Sequence, residues 1–256
     1  MDRESEGQTV SLNGIDLYYE VHGEGEPLLL LHGFTGCGGD WVYAGRDQLA
    51  GEYRSIVPDA RGHGRSTNPV RAITHRQCAL DFLALLDQLG VARCKAIGLS
   101  MGGNTLLHMA TLEPERLEAM VLVSATMSFP EQARALMRAT PAEPPAEQWR
   151  LLRERHRHGE AQIAALWEQQ RAFADSYDDM SFTPAQLSRI GARTLIVYGD
   201  RDPLYPLEMA LDLYRAIPAS ALWVVPGGGH GPVFLEAAEP FVRTALAFLR
   251  RRAAGG

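Results

Sequence analysis

The stretch Lys95-Ala96-Ile97-Gly98-Leu99-Ser100-Met101-Gly102 decides the fold of this chain. Apolar residues lead into it, and a helical pattern follows over residues 103–112. Gly98 and Gly102 leave room for a tight turn from strand to helix, because no Cβ meets the neighbouring strands. A helix that begins here points its free N–H groups at Ser100 and favours negative charge there. The pattern therefore predicts a serine hydroxyl held out of the backbone and into a cleft.

Two later motifs contain the partners that such a serine needs. A serine hydroxyl is a weak nucleophile, and a histidine oriented by a carboxylate activates it. The apolar run 194–198 ends in Gly199-Asp200-Arg201-Asp202-Pro203, and the run 222–225 leads through glycines to His230. Each run is a short strand pattern that stops at glycine or proline. His230 is therefore the candidate base, and Asp200 and Asp202 are both candidate acids.

Two upstream motifs complete a set of five in one order. Residues 28–31 lead into His32-Gly33-Phe34, and residues 55–57 lead into Asp-x-Arg-Gly-His-Gly-x-Ser at residues 59–66. With these motifs the chain resembles the α/β-hydrolase superfamily, and within it a serine esterase or lactonase, over about residues 10–248. The resemblance implies an α/β fold with a mostly parallel eight-stranded sheet flanked by helices. It also implies a helical cap inserted after the sixth strand.

The resemblance assigns roles to individual residues as well. It implies a catalytic triad of Ser100, His230 and Asp202, in which Asp200 only caps or braces its turn. It places the oxyanion hole, the pair of donors that stabilises a tetrahedral intermediate, at the backbone N–H groups of Phe34 and Met101. The polar loop at residues 59–66 is expected to hold the scaffold together and to have no catalytic role.

The other seven histidines lack this support. We expect His32 and His63 to brace loop backbone. His156 and His158 have no cysteine or carboxylate at metal-ligand spacing, so zinc is not expected. No pattern supports a role for the remaining three, His22, His75 and His108. The predicted chemistry requires neither a metal nor an organic cofactor.

The sequence pattern changes between residues 126 and 190, where prolines and helical stretches replace the alternation of strands and helices. We interpret this segment as a lid over the serine, inserted between core parts 1–125 and 191–256. Large apolar side chains there and beside the motifs are candidates for the substrate pocket, although such residues more often pack a lid onto a core. The candidates are Phe34, Met127, Phe129, Trp149, Trp167, Phe173, Tyr205 and Val233.

Length and composition fit a single globular domain that acts on a small molecule. The chain has 256 residues, of which 46% are hydrophobic and 22% charged. The formal net charge of −6 gives no reason to expect a nucleic-acid partner. Three scattered cysteines, a polar start and the lack of a long apolar run favour a reduced, cytoplasmic protein away from membranes, as a monomer or homodimer.

The leading hypothesis is a carboxylic ester hydrolase, including lactones as substrates, that forms an acyl-enzyme on Ser100. Haloalkane dehalogenases and epoxide hydrolases need an aspartate at this position and are disfavoured. Carbon–carbon bond hydrolases, enol-lactone hydrolases and cofactor-free perhydrolases or haloperoxidases keep the serine and stay open. A non-catalytic small-molecule receptor on the same fold also stays open, because such a protein can retain the triad.

Overall fold

The computed structural model describes residues 7–251, which are built around one eight-stranded sheet. In space its strands follow the order β1-β2-β4-β3-β5-β6-β7-β8. Strand β2 pairs antiparallel with β1 and β4, and the other neighbours are parallel, so the predicted mostly parallel sheet is confirmed. The strands are β1 (Gln8–Leu12), β2 (Ile15–His22), β3 (Pro27–Leu31), β4 (Arg54–Pro58), β5 (Cys94–Leu99), β6 (Leu117–Val123), β7 (Arg193–Gly199) and β8 (Ser220–Val225).

Nine α-helices are present within residues 7–251, together with four short 3₁₀ turns. The side chain of Thr74 accepts a hydrogen bond from the Gln77 N–H and so caps the second helix, which the apolar spacing had predicted. The helices are α1 (Arg46–Ala50), α2 (His75–Gln88), α3 (Met101–Leu112), α4 (Glu131–Arg138), α5 (Ala146–Arg155), α6 (Glu160–Ala172), α7 (Pro184–Leu187), α8 (Leu207–Ala216) and α9 (Ala238–Leu249).

The central strands are buried on both faces, as a parallel sheet between helices requires. In β3, Leu29 and Leu31 pack into the core on one face, with residues of α2, α3 and α8. Leu28 and Leu30 pack into the core on the other face, with residues of α1 and α9. The continuous leucine run is therefore one strand that supplies two cores, because successive side chains point to opposite faces.

The segment between β6 and β7 holds helices α4 to α7, and within the described range it adds no strand to the sheet. It is fastened to the loops at the carboxyl ends of the strands. The Arg157 N–H donates to the Gly64 carbonyl oxygen at 2.9 Å, and Arg155 pairs with Asp40 at 2.9 Å. The division into core 1–125, lid 126–190 and core 191–256 stays a prediction.

No helix within residues 7–251 has both the length and the apolar character needed to cross a bilayer.

Candidate active site

Ser100 occupies a strained turn between β5 and α3. Its φ of 50° and ψ of −111° are rare for a residue with a side chain. Both of its backbone polar groups are bonded: the N–H donates to the Val123 carbonyl oxygen and the carbonyl accepts from the Asn104 N–H, each at 2.8 Å. Such strain persists where the surrounding structure holds it, commonly at functional sites. The turn has the geometry of a nucleophile elbow.

Glycine is required on both sides of this turn. A Cβ on Gly98 would lie 2.5 Å from the backbone of Gly102. A Cβ on Gly102 would lie 2.3 Å from the carbonyl oxygen of Leu31 in β3. Both distances are far below van der Waals contact, and the atoms met are backbone. The steric reason that the sequence suggested for these glycines is therefore correct.

The elbow serine, His230 and Asp202 form one hydrogen-bonded chain. The Nε2 atom of His230 lies 2.8 Å from the Oγ of Ser100. Its Nδ1 atom lies 2.8 Å from Oδ2 of Asp202. Since a carboxylate only accepts, Nδ1 holds the ring proton and Nε2 is free to accept the serine proton. The arrangement can deprotonate Ser100 while a nucleophilic attack takes place.

Asp202 is held as a buried carboxylate. Its side chain is fully buried, and its Oδ1 accepts the backbone N–H groups of Leu204 at 2.8 Å and Tyr205 at 3.0 Å. Burial opposes the charged form, but the hydrogen bond and charge of His230, with these two backbone donors, lower the pKa of Asp202 below its ordinary value. Asp200 instead accepts the Gly227 N–H at 2.6 Å. The structure thus brings Asp202, and not Asp200, to the histidine.

The two backbone groups that the resemblance selected as oxyanion donors lie at the same cavity as Ser100. Met101 is the first residue of α3, and the first N–H groups of a helix have no partner within it. Phe34 follows β3 in the loop that faces the elbow, and both residues line the cavity with Ser100 and His230. The start of α3 adds a favourable field for an anion.

The cavity above Ser100 has a volume of about 220 Å³. Four of the eight predicted pocket residues line it: Phe34, Phe129, Phe173 and Tyr205. Phe34 and Phe173 meet edge to face with ring centroids 5.0 Å apart, and Phe129 lies 5.9 Å from Phe173. These rings give the cavity an apolar wall, to which Phe34 and Tyr205 contribute from outside residues 126–190 and Phe129 and Phe173 from within them.

The other four predicted residues lie elsewhere and do not line this cavity. Trp149 and Trp167 pack between α5 and α6, and the Trp167 Nε1 donates to the Pro141 carbonyl oxygen at 2.8 Å. Val233 is fully buried in the core on the other face of the sheet. Met127 is partly buried and packs against the core on the face of the sheet that holds α2, α3 and α8. The sequence shows that these side chains are large and apolar. It does not show whether such a side chain lines the pocket or packs within the protein.

Three polar residues that the motifs did not indicate also line the cavity: His75, Asn104 and Gln170. His75 had no supporting pattern because its partner, Asp179, is distant in sequence. Its Nδ1 atom lies 2.6 Å from Oδ2 of Asp179. No local spacing could have found this pair, since it forms only when the lid segment lies on the start of α2.

His63 and His32 contact loop backbone, as expected, and Nδ1 of His63 lies 3.0 Å from the Arg61 carbonyl oxygen. His32 makes two such contacts. Its Nε2 accepts the Ala60 N–H at 2.9 Å, and its Nδ1 lies 2.8 Å from the Gly33 carbonyl oxygen. His156 is buried too: its Nδ1 accepts the Gly64 N–H at 2.9 Å. Burial, together with the neighbouring His32, lowers the pKa of His156 to about 4, so the ring is neutral and connects the segment after α5 to the loop at Gly64. Within residues 7–251 no cluster of three or more potential metal ligands occurs.

A second cavity of about 380 Å³ adjoins the first and shares Gly33, Phe34 and Leu99 with it. Its outer wall includes Tyr43 and Leu235, two of the most exposed large apolar side chains among the described residues. The two cavities meet at the loop that follows β3, beside the predicted oxyanion donor Phe34.

Comparison with known proteins places these features in context. The model of a family described as the alpha/beta hydrolase family matches residues 28–244. A 2-hydroxy-6-oxo-6-phenylhexa-2,4-dienoate hydrolase of Comamonas testosteroni is 30% identical, and the match covers 92% of each chain.

Two solved structures share the fold at lower identity. The carboxylesterase CesB from Bacillus subtilis superposes with a TM-score of 0.78 at 23% identity, over 96% of this chain and 92% of that one. An enol-lactonase from Burkholderia xenovorans gives a TM-score of 0.76 at 22% identity, over 95% and 100%. These matches confirm the predicted fold class.

Proposed function

We propose that this chain, which belongs to the alpha/beta hydrolase family, is a serine hydrolase that cleaves carboxylic esters through an acyl-enzyme on Ser100. The observation behind the proposal is the hydrogen-bonded chain from Ser100 through His230 to Asp202, built on a strained elbow. Each member has the chemical type and the proton arrangement that serine acyl transfer uses.

Acylation follows from this geometry. The Oγ of Ser100 attacks the ester carbonyl carbon while Nε2 of His230 accepts the hydroxyl proton. The negative charge that develops on the carbonyl oxygen is stabilised by the backbone N–H groups of Phe34 and Met101. When the carbon–oxygen bond to the alcohol breaks, His230 donates its proton to the departing oxygen. Asp202 stays ionised and holds the imidazolium in position.

Hydrolysis of the acyl-enzyme repeats the sequence with water as the nucleophile. His230 accepts a proton from water as the water oxygen attacks the acyl carbon. The bond between that carbon and Oγ of Ser100 then breaks, and His230 returns the proton to Oγ. The carboxylic acid leaves and the serine is restored.

The cavities favour a compact acyl group. The space above Ser100, about 220 Å³, is smaller than the 300–1,000 Å³ or so of a site for a drug-sized ligand. Its walls of Phe34, Phe129 and Phe173 suit a short alkyl or a small aromatic acyl chain. The adjoining cavity of about 380 Å³ is the space available to the alcohol part. We therefore expect small esters and lactones to be better substrates than long-chain esters.

A second candidate is the hydrolysis of a carbon–carbon bond beside a carbonyl group. The Comamonas testosteroni relative is named for a dienoate with oxygen substituents, at 30% identity over nearly the whole chain. The polar side chains of His75, Asn104 and Gln170 in the cavity would suit a substrate with oxygen atoms besides the reacting carbonyl. The same Ser100, His230 and Asp202 would serve either reaction.

Hydrolysis of p-nitrophenyl esters from acetate to long acyl chains tests the leading proposal. The wild type should turn over the short esters fastest, and Ser100→Ala, with an unchanged thermal unfolding midpoint, should lose essentially all turnover. A folded wild type that hydrolyses no ester or lactone would refute the ester proposal. Turnover of an aryl hydroxy-oxo-dienoate by the same wild-type protein would then establish the second candidate.

A further inference from the structure

Two polar side chains, His75 and Asn104, lie in the wall of the cavity above Ser100. The His75 ring packs against the lining rings of Phe129 and Phe173, at centroid distances of 5.7 Å and 5.3 Å. The side chain of His75 is only 3% exposed. A polar ring in such an apolar wall gives up its hydration, so its two nitrogens need partners in the protein or on a ligand.

Asp179 is the partner of one ring nitrogen. Nδ1 of His75 lies 2.6 Å from Oδ2 of Asp179. The same carboxylate accepts the backbone N–H groups of His75 at 2.7 Å and of Arg76 at 3.1 Å, at the start of α2. Burial opposes the charged form, but the hydrogen bonds from the His75 side chain and from these backbone groups lower the pKa of Asp179 below its ordinary value. Because an ionised carboxylate only accepts, Nδ1 of His75 donates to it.

The other ring nitrogen, Nε2 of His75, faces the side chain of Asn104. The Oδ1 atom of Asn104 accepts the Thr126 N–H at 2.9 Å, which assigns the orientation of the amide. The amide nitrogen Nδ2 is therefore the atom that lies 3.5 Å from Nε2. Since Nδ2 only donates, Nε2 presents its lone pair to it. This distance is at the long limit of a hydrogen bond, so both atoms can bind a ligand more strongly than they bind each other.

The two nitrogens that are weakly bonded belong to the side chains that line the cavity. His75 and Asn104 line it together with Ser100, whereas Asp179 lines a separate cavity with Arg76. The Nε2 edge of the His75 ring is therefore the edge that a ligand bound at Ser100 can meet. At that edge the protein offers one hydrogen-bond donor, Nδ2 of Asn104, next to one acceptor.

We propose that His75 and Asn104 form a specificity site for an acyl group that carries a hydroxyl substituent. The oxygen of a hydroxyl can accept from Nδ2 of Asn104 while its proton is donated to Nε2 of His75. A carbonyl oxygen can only accept from Nδ2 and faces the lone pair of Nε2, and a methyl group satisfies neither atom. Asp179 is a positioning residue, because it holds the proton of His75 on Nδ1. The inference rests on the proposed acyl-enzyme mechanism, in which the acyl group occupies the cavity above Ser100.

Three p-nitrophenyl esters that differ at one carbon atom test this site. They are the β-hydroxybutyrate, the acetoacetate and the isovalerate, which carry a hydroxyl, an oxo and a methyl group at that carbon. The readout is kcat/KM for the hydroxy ester divided by kcat/KM for the isovalerate, a ratio that does not depend on the concentration of active enzyme. His75→Leu should lower this ratio about two- to tenfold relative to wild type, the effect of one uncharged hydrogen bond.

His108→Leu is the matched control. His108 is also a buried histidine in contact with Asp179, since its Nε2 lies 2.7 Å from the Asp179 carbonyl oxygen, but it lines the separate cavity. His108→Leu should therefore keep the wild-type ratio. Asp179→Ala should lower the ratio, because the His75 ring is then no longer held in one tautomer. A purely structural role of Asp179 would instead lower kcat/KM for all three esters alike and leave the ratio unchanged.

The outcomes separate this inference from the ester hydrolase proposal. Equal ratios in wild type, His75→Leu and His108→Leu would overturn the specificity site while leaving the ester hydrolase intact. A preference for the acetoacetate that disappears in His75→Leu would also overturn it, because Nε2 would then be a donor. If His75→Leu did not fold, an unchanged ratio in folded Asp179→Ala would overturn the inference, and a lowered ratio would support it.

Binding to Ser100→Ala, which lacks the nucleophile, gives a readout that does not need turnover. Calorimetric titration should show tighter binding of the hydroxy ester than of the isovalerate, and adding His75→Leu should remove the difference. If the wild type hydrolysed no ester, a His75-dependent difference in these affinities would still support the specificity site while the ester proposal failed. Equal affinities of the two esters for Ser100→Ala would overturn the site.

Discussion

Replacing Asp202 by asparagine isolates the electrostatic part of the candidate triad from its geometry. Asp202→Asn keeps the size of the side chain, and the new amide oxygen can still accept the backbone N–H groups of Leu204 and Tyr205 that now bind Oδ1. In Asp202 the Oδ2 atom lies 2.8 Å from Nδ1 of His230. In the variant the amide nitrogen takes the place of Oδ2 and faces the same Nδ1. Two donors cannot share this bond, so the histidine must move its proton to Nε2.

The change of tautomer determines how much kcat should fall in Asp202→Asn. With its proton on Nε2, His230 no longer accepts from Ser100, and the nucleophile loses its base. In serine hydrolysis a wrong tautomer lowers kcat by about 10⁴, which corresponds to about 5 kcal/mol of transition-state stabilisation. The elbow and the proposed oxyanion donors, the N–H groups of Phe34 and Met101, are untouched, so a residual rate above that of water should remain.

Asp200→Asn is the matched control in the same loop. Among residues 7–251 the Asp200 side chain accepts one hydrogen bond, from the Gly227 N–H at 2.6 Å, and an asparagine oxygen can accept that bond as well. We expect its kcat for p-nitrophenyl acetate to stay within about threefold of wild type. The assay is steady-state hydrolysis by both purified variants, with near-equal unfolding midpoints as the check on folding. If Asp200→Asn were the inactive variant, Asp202 would not be the acid that serves His230.

Two further predictions concern stability. Gly102→Ala should destabilise the fold by about 1–3 kcal/mol in urea unfolding, because its Cβ would lie 2.3 Å from the Leu31 carbonyl oxygen. Gly191→Ala, which meets no atom within 4 Å, should change stability little, and equal effects would contradict the steric argument. Burial lowers the pKa of His108 and His156 from 6.5 to about 4, so the unfolded chain binds more protons between these values. Stability should therefore fall from about pH 6.5 to pH 4, by up to about 3 kcal/mol for each group, and a flat unfolding free energy over that range would refute this assignment.

The motifs at the strand ends could be predicted from the sequence, because the steric requirements on their residues come from nearby backbone. Gly98 and Gly102 are fixed by backbone clashes within a few residues of Ser100 or on the adjacent strand, and a strand-turn-helix pattern shows this directly. The leucine run at 28–31 showed a strand buried on both faces for the same reason. The helix after the elbow depends on such a local pattern, whereas the mostly parallel eight-stranded sheet was implied by the resemblance to the α/β-hydrolase superfamily.

The interior of the cavity was not readable in this way. Trp149 and Trp167 have the same apolar character as Phe129 and Phe173, yet only the two phenylalanines face Ser100. Which side chain faces the cavity depends on how the lid helices pack, and periodicity does not determine that. His75 is the reverse case, a residue that lines the cavity although no sequence pattern predicted it.

The residues of the sequence by themselves therefore indicated the elbow at Ser100, the candidate base His230 and two candidate acids, Asp200 and Asp202, since each is marked by residues adjacent to it. The resemblance to a known family added the sheet and the choice of Asp202. Only the tertiary structure shows that Asp202 rather than Asp200 meets the histidine, and that Asp179 holds His75 in the cavity wall. The physical reason is sequence distance. Contacts between groups far apart in the chain are made by the packing of whole helices and loops, and no single segment encodes them.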